Sequence, residues 1–548
     1  MKIFNFKSQL FLVLIAVLIF PSCKKQLEKS PLDEFDSATL WTSESNALLA
    51  LTGVYRGNIS VSSANANPTD WWSYAGLLFT EFATDNAYDR RGDNSVFNKL
   101  TNGTLTPDNA VLLQYWTQSY TRVARCNDFL ENIGQVPMDD ARKKRMIAEV
   151  RFLRAAQYFY MSQYWGSVPL VTTLLTKEEA NTLTKTPKAD IVNFVIKEFT
   201  EAAVDLPRFK DVPASERGRV NKQADLAFLG RIQLAEKKFT EAAATYKTII
   251  DFGDNIIDAD YSSLFVLSNE NSSENIFSTQ FVANLAANGM NQHLWPAVAA
   301  GWHIFCPLGS IVEDYGFTNG TSFSFSSPLY DSADPTKNRD PRLKYNILFN
   351  GQRFNGKYIT HPDSTSAPDQ LGAGKQTTQT GYGIKKFLDE GYSGDLVNYG
   401  GNVPIIRYAE VLLSYLEAKL EGGGAIDQAL LDATINKVRG RSTVGMPPIT
   451  QTNPTLLRDI LRKERRIETA FEGIRYWDLL RWKLAEKVLI ADFYGTPFPN
   501  TKKALRKKGS IVDPYSRWYV TSKAFRAAQD YSWPIPQQEI NINPNLAK

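Results

Sequence analysis

Residues 463 to 482 read Lys-Glu-Arg-Arg-Ile-Glu-Thr-Ala-Phe-Glu-Gly-Ile-Arg-Tyr-Trp-Asp-Leu-Leu-Arg-Trp. In helical phase Ile467, Phe471 and the later Ile474 face a core, while Arg465, Arg466, Glu468 and Glu472 stand at spacings where opposite charges meet on a helix. Gly473 breaks the pattern, and Tyr476, Trp477 and Trp482 pack the turn that follows. Guanidinium forks satisfy carboxylates two bonds at a time, so the stretch reads as a structural clamp rather than a catalytic centre or a ligand contact.

Upstream of the clamp, helical grammar recurs. Arg407 to Arg441 reads as a helical hairpin turning at Gly422, Gly423 and Gly424, and Asn221 to Asp251 reads as another. The latter's first helix holds Leu226, Leu229 and Gly230; its second starts at Phe239 and holds Ala242, Ala243 and Tyr246. Helices pair closely only where a small side chain admits the neighbour, and this arrangement resembles a tetratricopeptide repeat. Glu149 to Tyr164 and Asp190 to Leu206 form a third pair across a longer connection. Asn109 to Ile133 is helical, Asp139 to Tyr164 is closed by Gly166 and Pro169, and Thr42 or Ser43 caps a first helix carrying Ala47, Leu48, Leu51, Val54 and Tyr55.

Between Ser60 and Thr106 the pattern dissolves into loops. From about Asn255 to Asn402 Gly, Ser, Asn, Pro and aromatics dominate, and so long a structureless loop is not expected in a compact domain. The fold expected is therefore mostly α: a tetratricopeptide-like helical repeat scaffold over about 37–254 and 403–548, with a large loop-rich insertion over about 255–402 containing short helices and a few strands. Repeats of this kind can be purely structural superhelices. Loops held on a rigid frame are where binding residues concentrate.

At the amino terminus Lys2 and Lys7 precede an unbroken apolar run from Leu10 to Phe20, then Pro21, Ser22 and Cys23. Eleven apolar residues are too few to span a bilayer, which takes ~20, but suit an export signal. A Cys one residue after a small Ser resembles the lipobox of a bacterial lipoprotein, although Phe20 and Pro21 depart from its commoner pattern. The expectation is a lipoprotein signal peptide over 1–22, lipid on Cys23, and a single domain over 23–548. An ordinary secretory signal is the alternative.

The full chain has 548 residues with 62 Lys and Arg against 58 Asp and Glu, a net charge of +4. No clustered basic stripe for nucleic acid follows from that balance. Three Cys and three His are too scattered for a zinc framework or a disulfide scaffold, so no metal or other cofactor is expected. Aromatic residues make up 12%, more than a core strictly requires, which puts some of them on display.

Catalytic grammar is thin: no G-x-S-x-G, H-E-x-x-H, C-x-x-C or G-x-G-x-x-G occurs in a fitting context. Leu371-Gly372-Ala373-Gly374-Lys375-Gln376 lacks the glycine and hydroxyl residue of a phosphate loop. Asp331, Asp334, Asn338 and Asp340 are oxygen-rich, but their spacing and Pro335 and Pro341 favour turns over a calcium loop. The basic run Lys502, Lys503, Arg506, Lys507 and Lys508 reads as solvated, with an acidic partner surface or lipid headgroups as the alternative.

Residues 463 to 482 closely resemble the C-terminal signature of the SusD/RagB family of nutrient-binding surface lipoproteins, and 148 to 170 resemble its first repeat. Similar too are Leu40-Trp41-Thr42 with Gly53 and Tyr55, Asn338-Arg339-Asp340-Pro341-Arg342-Leu343, Arg407-Tyr408-Ala409-Glu410-Val411-Leu412-Leu413 and Trp533-Pro534-Ile535-Pro536. The resemblance covers nearly the whole chain beyond residue 23. It implies a non-catalytic outer-membrane protein that binds oligosaccharide or, as in RagB, peptide, and that sits on a SusC-like TonB-dependent transporter.

The resemblance places ligand contacts in the early loops and the central insertion, where a pyranose face can stack on an aromatic ring. Those regions offer Trp71, Trp72 and Tyr74, then Asp85 and Asn86 with Tyr88, and later Trp302 and His303; Trp295 reads as core. Adjacent Trp71 and Trp72 point oppositely in an extended segment, so one of them is expected to be exposed. No family residue transfers onto these positions, and they are chosen by region and chemistry. A secreted hydrolase on a helical scaffold and a scaffold with protein partners only are the rival readings.

Overall fold

In the computed structural model, residues 40–56, 70–372, 374, 376–502 and 506–547 are described. The expected signal peptide, Cys23 and Lys503 lie outside them. Among the described residues, nine helices carry the scaffold: α1 (Glu44–Arg56), α2 (Ala110–Asn132), α3 (Asp140–Tyr164), α4 (Lys188–Asp205), α5 (Lys222–Ala235), α6 (Phe239–Phe252), α7 (Tyr408–Glu421), α8 (Pro454–Glu468) and α9 (Arg475–Arg481). Side-chain caps start many of them where the sequence supplies Asn, Asp or Ser: Ser43 accepts from Asn46 N, Asn109 from Val111 N, Asp139 from Arg142 N and Asn453 from Thr455 N.

The helices pack in a row, each from α2 to α8 against the next. The insertion leaves after α6 and returns so that α7 packs on α6, and the row continues past it. At the α5–α6 contact, a Cβ on Gly230 would come within 2.5 Å of the Tyr246 ring, which is why a small residue stands there. The Arg407–Arg441 hairpin is less regular than its sequence suggests, because its second half is two short helices, Gln428–Ala433 and Ile435–Arg439, broken at Thr434.

The insertion holds short helices and short strands. Four two-stranded antiparallel sheets form from β1 (Ala87–Asp89), β2 (Asn275–Thr279), β3 (Phe305–Pro307), β4 (Ile347–Leu348), β5 (Gly383–Ile384), β6 (Val403–Arg407), β7 (Asp492–Pro497) and β8 (Arg517–Ser522), paired β1–β3, β2–β6, β4–β5 and β7–β8. The main apolar core reaches from Trp41 to Leu546, so insertion and scaffold share it, and a small second cluster of Leu308, Phe493 and Val520 lies at the β7–β8 hairpin.

The clamp stretch joins them. Glu468 lies among Arg441 (2.7 Å), Arg407 (3.0 Å) and Arg342 (3.0 Å), and Glu472 pairs with Arg407 and Lys386 at 2.6 Å each. Arg342 and Lys386 belong to the insertion, so these buried pairs tie it to the end of α8 and to the turn that follows. Burial pushes the Glu468 carboxyl up, but Arg441, Arg407 and Arg342 outweigh it and hold the group well below the carboxylate range. Ile467, Phe471 and Ile474 are buried as their phase requires. Gly473 has φ +78°, and a Cβ there would lie 2.1 Å from the Leu77 carbonyl oxygen.

Candidate functional site

The structure puts most of the residues singled out by region and chemistry inside the core. Trp71 is 2% exposed and stacks on Tyr115 at 3.9 Å and Tyr160 at 4.7 Å, with its Nε1 donating to Ser119. Trp72 is 5% exposed and meets Phe152, Phe228 and Phe277. The expectation that one of the two is exposed is thus not met. Asp70 accepts from Trp72 N and folds the segment into a turn, which removes the strand alternation, and there is core on both sides.

Tyr74 is buried with its hydroxyl 2.6 Å from His293 Nδ1, and burial pulls that imidazole down to about 4. Asp85 receives Arg475 through two bonds of 2.9 Å and pairs with Arg466, while Asn86 bridges Glu81 and Arg466. Burial raises the Asp85 carboxyl, but the two guanidinium groups outweigh it and hold the group low. These two residues are partners of the clamp; their polarity serves a buried lattice. His303 is fully buried, 3.0 Å from Asp369. Tyr88 and Trp302 are the half-buried members of the set, and the Trp302 ring lies 5.0 Å from His293. The Asp331–Asp340 run forms turns: Asp331 pairs with Lys337, Asp334 accepts from Thr336, and Asp340 pairs with Arg342. No cluster of three metal-ligating side chains occurs among the described residues.

A cavity of about 440 Å³ lies where the insertion meets the β7–β8 hairpin. Its size is in the ~300–1,000 Å³ range of ligand pockets. Phe323 and Phe325, two residues apart, form one wall with Tyr330 and Tyr515; Phe325 and Tyr515 stack at 4.6 Å, and Tyr515 is 45% exposed. Phe349, Tyr382 and Phe498 form the buried floor. The hairpin is seated closely: Thr496 N donates to the Thr380 carbonyl, and a Cβ on Gly495 would lie 2.0 Å from that oxygen. A larger depression of about 530 Å³ beside α2 is walled by Val123, Leu174, Leu183 and Ile542 and carries only one charged group, Glu539. The first cavity alone of the two joins a broad aromatic wall to charges of both signs, Glu313 and Arg339.

Those polar groups are held from below. Arg339 donates through Nε and Nη2 to the Tyr315 and Val312 carbonyls, which end the short helix Gly309–Asp314, and its guanidinium lies 3.7 Å from the Phe323 ring centre. Burial pulls this guanidinium down to about 10. Glu313 pairs with Arg517 at 2.7 Å, and Arg517 also holds Asp513. Asp363 N donates to His361 Nδ1, which leaves Nε2 as the donor of the neutral ring. Flat rings on one side and fixed donors on the other are the two things a sugar ring needs. A signal was present in the sequence: the Ser-rich run Thr321–Ser332 places Phe323, Phe325 and Tyr330 where no helical period assigns them to a core.

A family model described as "SusD family" matches residues 263–548, and one described as "Starch-binding associating with outer membrane" matches 58–234. Among solved structures, the chain is similar to a SusD-like carbohydrate-binding protein of Bacteroides fragilis, with 47% identity, a TM-score of 0.90, and 93% of this chain and 100% of that one covered. Among curated relatives it is 23% identical to SusD-like protein P2 of Formosa agariphila and 23% identical to the starch-binding protein SusD of Bacteroides thetaiotaomicron, each over 98% of this chain and 97% of the relative. With its clamp, helical row and these matches together, the chain belongs to the SusD family.

Proposed function

We propose that this protein is a non-catalytic binder that captures oligosaccharide in the cleft between the insertion and the β7–β8 hairpin and delivers it to a SusC-like TonB-dependent transporter at the outer membrane. Lipid on Cys23 would tether it there. The observation that carries the reading is the cleft itself, where the stacked Phe325 and Tyr515 rings face a floor of buried aromatics and fixed polar groups. That the Bacteroides fragilis relative is named as carbohydrate-binding supports it. Trp302, half-buried and apart from the cleft's lining residues, is a secondary contact in this reading.

The test is calorimetry against panels of oligosaccharides and of peptides, with product analysis of every bound ligand. Saturable binding of a glycan that is recovered unchanged is the expected result. Binding of peptides alone, or turnover of the glycan, would contradict it.

A further inference from the structure

Eleven arginines are buried among the described residues, and ten of them, such as Arg122, Arg231, Arg342, Arg407 and Arg465, sit in ion pairs with Asp or Glu. Arg339 is the exception. It is 2% exposed, it lines the cleft, and no carboxylate lies within ion-pair distance of it among the described residues. Its Nε and Nη2 are used up on backbone carbonyls, and Nη1 has no acceptor among the described residues.

The nearby acids are engaged elsewhere. Glu313 is neutralised by Arg517, Asp340 by Arg342 and Asp331 by Lys337, while Asp363 accepts from the Thr501 hydroxyl and Lys502 N. Asp334 stays exposed on the rim and bonds Thr336. A buried charge without a counter-ion is costly, and a ligand that carries the opposite charge would offset that cost. A guanidinium nitrogen offers a carboxylate or sulfate oxygen a short, charge-assisted bond.

We infer that the cleft selects acidic oligosaccharides, with Arg339 Nη1 receiving the sugar's carboxylate or sulfate while Phe325 and Tyr515 carry the ring. This rests on the cleft being the oligosaccharide site. The aromatic wall favours a sugar ring over an acidic peptide, whose backbone would leave those rings uncovered.

The test uses matched pairs with the full-length chain: an oligogalacturonide against its carboxyl-reduced neutral form, and a sulfated galactan oligosaccharide against its desulfated form. The acidic member of at least one pair is expected to bind tenfold or more tightly, which distinguishes carboxylate from sulfate, with the gap shrinking as salt rises from 20 to 200 mM. Arg339→Gln should weaken binding of the acidic member far more than that of the neutral one, so that the gap between them closes. Because Arg339 also closes a helix end, the wild-type comparison stands independently of that variant's folding. Equal binding of both members would overturn this inference and leave the cleft reading intact. Binding of no member of either pair, or of acidic peptides alone, would overturn both.

Discussion

Arg407 shows how much the clamp depends on single side chains: it reaches Glu274 and Glu472 at 2.6 Å and Glu468 at 3.0 Å from a fully buried position. Removing one partner strands buried charge at a cost of about 3–5 kcal/mol. Arg407→Met should therefore lower unfolding free energy by that order in a urea titration. Asp85 gives the matching acid-side prediction. Its folded carboxyl lies below the unfolded value of about 3.9, so its stabilisation is complete above about pH 4 and is lost as pH falls toward the folded value. Asp85→Asn should be less stable than wild type at pH 7, and the gap should begin to narrow below about pH 4. A gap that is constant from pH 7 to pH 2.5 would contradict the pairing.

At the scale of elements, the repeat hairpins were legible because Gly230 and the spacing of Leu226, Leu229, Ala242 and Tyr246 are local signals of a close contact. Gly230→Ala should destabilise by about 1–3 kcal/mol through overpacking against Tyr246, despite the better helix propensity of alanine. Gly53→Ala, where no atom lies within 4 Å of the added Cβ, should instead stabilise by up to about 1 kcal/mol. Thermal melts of the two variants should move in opposite directions. The break at Thr434 and the turn at Asp70 were not legible. Asp70 accepts from Trp72 N and Thr434 bonds back to Leu430 O, local side-chain bonds that hydrophobic periodicity does not encode, and the alternation rule for Trp71 and Trp72 holds only for extended chain. Asp85 and Asn86 show a related limit: polar residues in a loop suggest a ligand, and only the fold brings Arg466 and Arg475, almost four hundred residues away, to satisfy them.

For the whole molecule, the aromatic surplus divides into rings that build the core and rings that face the cleft. Trp71→Ala removes a fully enclosed ring and should cost about 3–5 kcal/mol of stability, with ligand affinity per folded molecule unchanged. The cleft escaped the sequence reading because it joins two stretches that neither periodicity nor proximity connects: Phe323–Tyr330 in the insertion and Tyr515 beside the last hairpin. Cys23→Ser should move the chain from the membrane fraction to the soluble fraction on cell fractionation, the outcome the lipobox reading of residues 20–23 requires. The central claim is oligosaccharide capture at the aromatic wall, and calorimetry of a Phe325→Ala/Tyr515→Ala double variant against the best-bound glycan tests it most directly. The expected result is a loss of affinity of at least tenfold with an unchanged thermal midpoint; unchanged affinity in a folded double variant would contradict it.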